Sequence, residues 1–220
     1  MEDMDIISMW KAQNEKIEQS LAINNQLLRE IIGGKAKSAL SQLKLLKIIL
    51  LFFGILYLMF LGGLIYFALV HYSQAWNYFI ISVGAIFVIN VIAVMTYINH
   101  LVCLSQINYD GNISQIQQDL SGLQSSIIRH TRIMYLQTPF FSTFYLSSNW
   151  FPTTAGWPFI LFQIVFTFAS VYSSIWIYRH MTIDNIDHKM VKSLLSGSGR
   201  ETVRKAMDFY KEIEAFKVEA

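Results

Sequence analysis

The chain has 220 residues, 54 % hydrophobic and 15 % aromatic, with 17 Lys and Arg against 15 Asp and Glu. That apolar share exceeds the roughly 45–50 % of soluble domains. The tail from Arg179 on holds eight basic and seven acidic residues, which argues against a nucleic-acid arm, and a single cysteine excludes a disulfide scaffold.

The first 34 residues read as an amphipathic helix. Ile6, Trp10, Ile17, Leu21, Leu28 and Ile31 share one face, which Asn14 and Asn24 interrupt. A polar residue in such a seam costs stability but fixes register. Trp10 on a polar helix is a costly exposed aromatic unless something covers it, so Trp10, Ile17, Leu21 and Leu28 are the candidate partner-binding residues. The competing reading lays Trp10 in the membrane interface or packs it on the stalk at 102–132. Gly33-Gly34 is expected to end or hinge this helix. Residues 35–47 form a basic juxtamembrane segment, whose Lys35, Lys37, Lys44 and Lys47 are expected to meet anionic lipid headgroups, at about 1 kcal/mol each.

No Lys, Arg, Asp or Glu lies between Lys47 and Asp110, nor between Arg132 and Arg179. Each stretch is long enough for two crossings at roughly 20 residues apiece. The expectation is an all-α integral membrane protein with four transmembrane helices, at 48–70, 78–101, 133–151 and 158–178. The third carries Gln137, Pro139 and several hydroxyls, and charge argues for it. Lysines precede the first span and Arg179, Lys189 and Lys192 follow the last, so an even number of crossings puts both termini on the cytoplasmic side. Trp76, Trp150 and Trp157 then fall at the outer boundary and Trp176 at the inner one.

Between the second and third spans, residues 102–132 read as a cytoplasmic helical stalk. Ile113, Ile116, Leu120, Leu123, Ile127, His130 and Met134 repeat at spacings of 3 and 4 after a turn at Asp110-Gly111. Such a stripe needs a partner, because an isolated helix of this kind is marginal in water. The tail, 179–220, is expected to hold helices at 184–195 and about 201–216, joined by the linker Ser196-Gly197-Ser198-Gly199. Ser198 and Glu201 have capping-box spacing.

Intramembrane ionisable residues mark pumps and proton relays, and no expected span contains an Asp, Glu, Lys or Arg. Asn90 and Gln163 in the spans, with Gly62-Gly63, are read as helix-packing residues, as are Leu120 and Leu123 in the stalk. His100, His130 and His180 all fall near the inner boundary on different spans. As a group they are candidates for a metal or a haem edge. Interfacial histidine, with an apolar body and a polar tip, is the preferred reading, so no metal and no cofactor is expected. Cys103 is read as a small apolar side chain. The absence of a Ser-His-Asp order, paired carboxylates or a zincin motif argues against an enzyme.

The pattern Trp10-x-x-Gln13-Asn14-Glu15-Lys16-Ile17, then Ser20-Leu21, Leu27-Leu28 and a basic Lys-x-Lys-Ser before the first span, resembles a group of small bacterial four-span membrane proteins. These are commonly encoded beside sigma factors of the extracytoplasmic-function class. The resemblance implies an inner-membrane protein with a regulatory role, sequestering such a factor through its N-terminal helix, although the His/Cys pattern of a zinc-binding anti-sigma domain is absent. The expected function is thus non-enzymatic: cytoplasmic helices presented for a protein partner or for homo-oligomerisation, with the lipid bilayer as the other partner. The alternatives are a neutral-solute channel or transport-accessory subunit, and a haem-bearing anchor of a redox enzyme.

Overall fold

The computed structural model describes the backbone of residues 2–109, 111–182, 185 and 188–219, and their side chains except 2–9, 12, 22, 25, 28, 29 and 213–219. All regular structure among them is helical. The first helix, α1 (Glu2–Val70), is unbroken over 69 residues, roughly 100 Å at 1.5 Å per residue. The hinge expected at Gly33-Gly34 does not occur. Two helical glycines cost about 1 kcal/mol each against alanine, less than the packing of the turns on either side of them, where Ile32, Ala36, Leu40 and Leu43 are all buried.

After a 3-10 turn (Gln74–Trp76), α2 (Asn77–Gln106) returns along α1. The pair approaches closely where side chains are missing. A Cβ on Gly54 would stand 3.2 Å from Val94, and one on Gly62 would stand 3.7 Å from Phe87. Gly63 has no neighbour within 4 Å and makes no such contact, because one step of 100° turns it off the face that Gly62 occupies. Gly54 is the closer approach, and sequence reasoning did not single it out.

The stalk expected from the 3-4 spacing is α3 (Ile113–Tyr135), started by Asn112, whose side chain accepts from the Ser114 N–H at 3.1 Å. Its stripe is buried in full from Ile116 through Leu120, Leu123 and Ile127. The partners are three: Ile32–Leu43 of α1, Leu104 and Ile107 at the end of α2, and Val203, Ala206 and Tyr210 of α7 (Arg200–Glu219). These four elements form a bundle beyond the apolar lengths of α1 and α2. The stalk therefore packs on α1 beyond the glycine pair, not on the face that carries Trp10 and Ile17.

The third expected span, 133–151, is not a helix. The α3 helix stops at Tyr135, a single turn α4 (Thr138–Phe141) follows, and turns occupy the chain up to α5 (Trp157–His180). Proline 139 has no N–H to donate, and the hydroxyls beyond it bond to nearby backbone instead of extending a helix: Ser142 Oγ donates to the Pro139 carbonyl at 2.7 Å, and Thr154 Oγ1 to that of Trp150 at 3.1 Å. Among the described residues, three helical stretches are long and apolar enough to cross a membrane, within residues 30–70, 74–106 and 157–180.

The irregular segment still runs the length of its neighbours. Gln137 meets Asn90, Thr143 meets Ser82 at 2.8 Å, and Phe151 meets Tyr78, so it tracks α2 backwards. Against α5, the Tyr135 carbonyl accepts from Ser174 at 3.0 Å, and Trp150 and Phe151 reach Phe159.

In the tail, the helix expected at 184–195 is shorter, α6 (Lys189–Leu194), while residues 183, 184, 186 and 187 lie outside the described residues. Val191, Leu195 and Met181 pack with Ile128 of α3. The Ser-Gly linker is a shaped turn: Gly197 and Gly199 adopt φ of 79° and 91°, and a Cβ on Gly199 would collide with Leu43. The α7 helix begins one residue after Gly199, so the expected capping box does not form; Ser198 Oγ accepts from the Arg200 N–H at 3.4 Å instead.

Replacing Leu120 and Leu123 together by Asp removes two side chains that are 0 % and 2 % exposed, each contributing about 1.5–3 kcal/mol. The expected result is loss of the bundle and a markedly lower melting temperature in detergent. The same change at exposed Gln118 and Ser121 should leave melting unchanged, and equal effects would contradict the packing.

Candidate functional site

Two places carry residues that the apolar spans do not explain. The first is α1 before its glycine pair. Every described side chain from Trp10 to Ile31 is exposed, including Trp10 at 73 %, Ile17 at 51 % and Leu21 at 44 %. The side chain of Leu28, the fourth candidate, lies outside the described residues. A helix of this length in water is marginal alone, yet here nucleation has been met by the packed part of the same helix. It stands as a rod with its apolar stripe facing solvent, and Trp10 packs neither on the stalk nor on any other described element.

The second lies where α1, α2, α3 and the α7 linker meet. Three of the four candidate headgroup lysines, Lys35, Lys37 and Lys44, are exposed, with the Lys37 ammonium 5.7 Å from the Tyr109 ring centre. Lys47 is not available to lipid headgroups: it is 2 % exposed. It continues the stripe Ala36, Leu40, Leu43 at the same 3-4 spacing, so helix rotation carries it inward with them. Burying an ammonium is costly unless it is compensated. Its Nζ donates to the Ser198 carbonyl at 3.0 Å and lies 4.9 Å from the centre of the Tyr97 ring, a hydrogen bond and a cation–π contact. This clasp ties the tail linker to the start of the first apolar stretch. The sequence signal was present, since a cation at the next position of a buried stripe is the pattern of a buried lysine.

Around Lys47 the structure brings together two of the three candidate histidines. His100 is 1 % exposed, and its Nε2 pairs with Ser126 Oγ of α3 at 2.9 Å. The rings of His100 and His130 are 6.1 Å apart, and His130 stacks obliquely on Tyr97 at 4.7 Å. His180 does not join them; it stacks on Trp176 at 4.5 Å, with Nδ1 at 2.9 Å from the Trp176 carbonyl, and it is exposed. The expected three-imidazole group therefore does not assemble, because α5 delivers His180 on a different face. Among the described residues no three His, Cys, Asp or Glu side chains group to hold a metal ion. His100 and His130 contact each other and Tyr97 directly, as packed rings do. Burial, and then the Lys47 ammonium, lower the His130 pKa from 6.5 to about 4.

The polar residues of the spans are engaged in packing. Asn90 Nδ2 donates to the Ile86 carbonyl at 2.8 Å and to Gln137 Oε1 at 3.0 Å. Gln163 is buried; its amide donates to the Ser142 carbonyl at 2.6 Å and Thr167 Oγ1 at 3.1 Å, while its carbonyl accepts from the Tyr145 hydroxyl at 2.6 Å. With all its groups used in joining the irregular segment to α5, Gln163 presents no polar face to a passing solute.

The His130 pKa gives a signed expectation. Its folded value is below its ordinary one, so the unfolded chain takes up the proton first as pH falls. Stability that comes with neutral His130 is complete above pH 6.5 and is lost as pH falls toward 4. The groups facing it are Lys47 from α1 and Tyr97 and His100 from α2. Melting temperature followed against pH should fall less steeply across this interval in His130→Gln than in the parent; identical slopes would show that His130 does not titrate there.

Comparison with known proteins finds no matching family model, no similar curated protein and no similar solved structure.

Proposed function

We propose that this chain is a non-enzymatic, multi-pass protein of the bacterial inner membrane, with both termini cytoplasmic, that presents the N-terminal part of α1 for protein recognition. The observation that carries the reading is the exposure of every described side chain from Trp10 to Ile31 on a helix continuous with an apolar span. A tryptophan 73 % exposed is a costly surface feature, and tryptophan is enriched among binding hot spots. The placement of charge supports the orientation, since both lysine-rich ends of the apolar stretches fall on one side. The regulatory role, sequestration of a sigma factor, is supported by the N-terminal resemblance and remains part of the proposal.

In this reading the irregular segment 136–156 completes an even number of crossings without being a helix. Backbone at membrane depth must find its hydrogen bonds within the protein. The bonds from Gln163 and Ser174 to the Ser142 and Tyr135 carbonyls, with the side-chain contacts of Gln137 to Asn90 and Thr143 to Ser82, support a crossing shielded between α2 and α5.

Topology is testable in a Cys103→Ala background. Cysteine at Ser73 or Thr154 should react with an impermeant thiol reagent in intact cells, and cysteine at Ser38, Ser121 or Ser196 should not; all five positions are in exposed sites. Labelling of Ser196→Cys from outside would sink the four-crossing reading. Deleting residues 2–31 leaves the buried bundle from Ile32 onward intact, so the protein should insert and melt as before while losing its captured protein partner. Recovery of the same proteins with and without the segment would refute recognition by α1.

A further inference from the structure

From the register of the exposed stripe we infer that its occupant is further copies of this same chain, joined as a parallel, in-register helical assembly through residues 10–31 of α1. The inference rests on the reading of this stretch as a recognition surface and names its partner.

The spacing is that of a coiled coil. Trp10, Asn14, Ile17, Leu21, Asn24, Leu28 and Ile31 alternate steps of 4 and 3 over three heptads. With steps of 3 running from a to d, Asn14, Leu21 and Leu28 are a positions, and Trp10, Ile17, Asn24 and Ile31 are d positions. The stretch is about 33 Å long at 1.5 Å per residue.

Three observations select a second copy over an unrelated protein. The first is the pair of asparagines. In a seam against an apolar partner, Asn14 and Asn24 would each bury an amide with nothing to bond. Across a symmetry axis each meets its own counterpart, and an amide is both donor and acceptor, so the mismatch becomes a register lock. The second is geometry. Because α1 has no break between this stretch and its apolar length, copies inserted the same way in one bilayer hold their stripes parallel and at equal height. Parallel, in-register pairing then needs no further ordering, and confinement to the membrane raises the effective concentration.

The third is charge. In a parallel pair, flanking g and e positions face each other as Ile6 with Lys11, Gln13 with Glu18, and Ser20 with Asn25. No like charges meet. The remaining charges, such as Glu15, Lys16 and Glu30, fall on the outer positions. Leucine at a with isoleucine at d favours more than two strands, so closed trimers or tetramers are expected over dimers.

The test uses the full-length chain reconstituted in lipid, with Cys103→Ala. Under a mild oxidant, Ile17→Cys and Leu21→Cys should form intermolecular disulfides, while Gln19→Cys and Gln26→Cys, on the far side of the helix, should not. In detergent the protein mass should be three or four times 25.4 kDa. Ile17→Asp with Leu21→Asp should return it to a single chain without changing its melting temperature, since both side chains are exposed within one protomer. A parent protein of single-chain mass, or equal cross-linking at all four positions, overturns the inference. If the single-chain parent captures a different cytoplasmic protein through residues 2–31, self-assembly fails while the recognition reading stands. If deletion of 2–31 alters neither mass nor capture, both fail.

Discussion

The structure depends on the continuity of α1 and on what its rotation presents at each level. Along 69 residues one helix offers an exposed stripe, then a buried stripe ending in Lys47, then an apolar surface. Each neighbour takes its place from that sequence of faces. The α3 and α7 helices pack on the middle stretch and α2 on the last, while no described side chain covers the first. A hinge at Gly33-Gly34 would uncouple the first stretch from the others. Its absence makes the orientation of Trp10 a consequence of how the apolar length is anchored.

Lys47 is the point where these levels are joined. Its ammonium reaches the Ser198 carbonyl over 151 residues of sequence, in a setting made by Tyr97, His100 and His130. A buried cation of this kind adds little net stability, because the desolvation it suffers offsets the bonds it makes. It does select one arrangement. If the linker lifts, a buried ammonium loses its acceptor, and if α2 rotates, it loses its aromatic face. The glycine at 199 serves the same docking, since its φ of 91° disfavours any other residue and a Cβ there would require the Leu43 side chain to move.

The hydrogen-bonding demand of an apolar environment explains the third apolar stretch. Its hydroxyls and proline prevent a helix, and its backbone would be expensive in lipid if left unpaired. Gln163 and Ser174 of α5 donate to the backbone carbonyls of Ser142 and Tyr135, while Asn90 and Ser82 of α2 engage the side chains of Gln137 and Thr143. Asn90 and Gln163, read from the sequence as helix-packing residues, thus help to hold a non-helical segment between α2 and α5.

Hydrophobic periodicity and the distribution of charge by themselves determined the all-helical class, three of the four stretches expected to cross a membrane as helices, the buried face of α3 and the polar character of the tail. Those properties depend on residues near one another along the chain, at spacings a helix repeats. Only the tertiary structure decided that Gly33-Gly34 continues the helix, that the irregular segment 136–156 lies between α2 and α5, that Lys47 points inward and that His180 stays apart from His100 and His130. The partners that decide the packing are distant in sequence: Ile116 and Val203 against the α1 stripe, Tyr97 beneath Lys47, and Gln163 beside Ser142. Local spacing shows which face a residue occupies, and packing alone shows what that face meets.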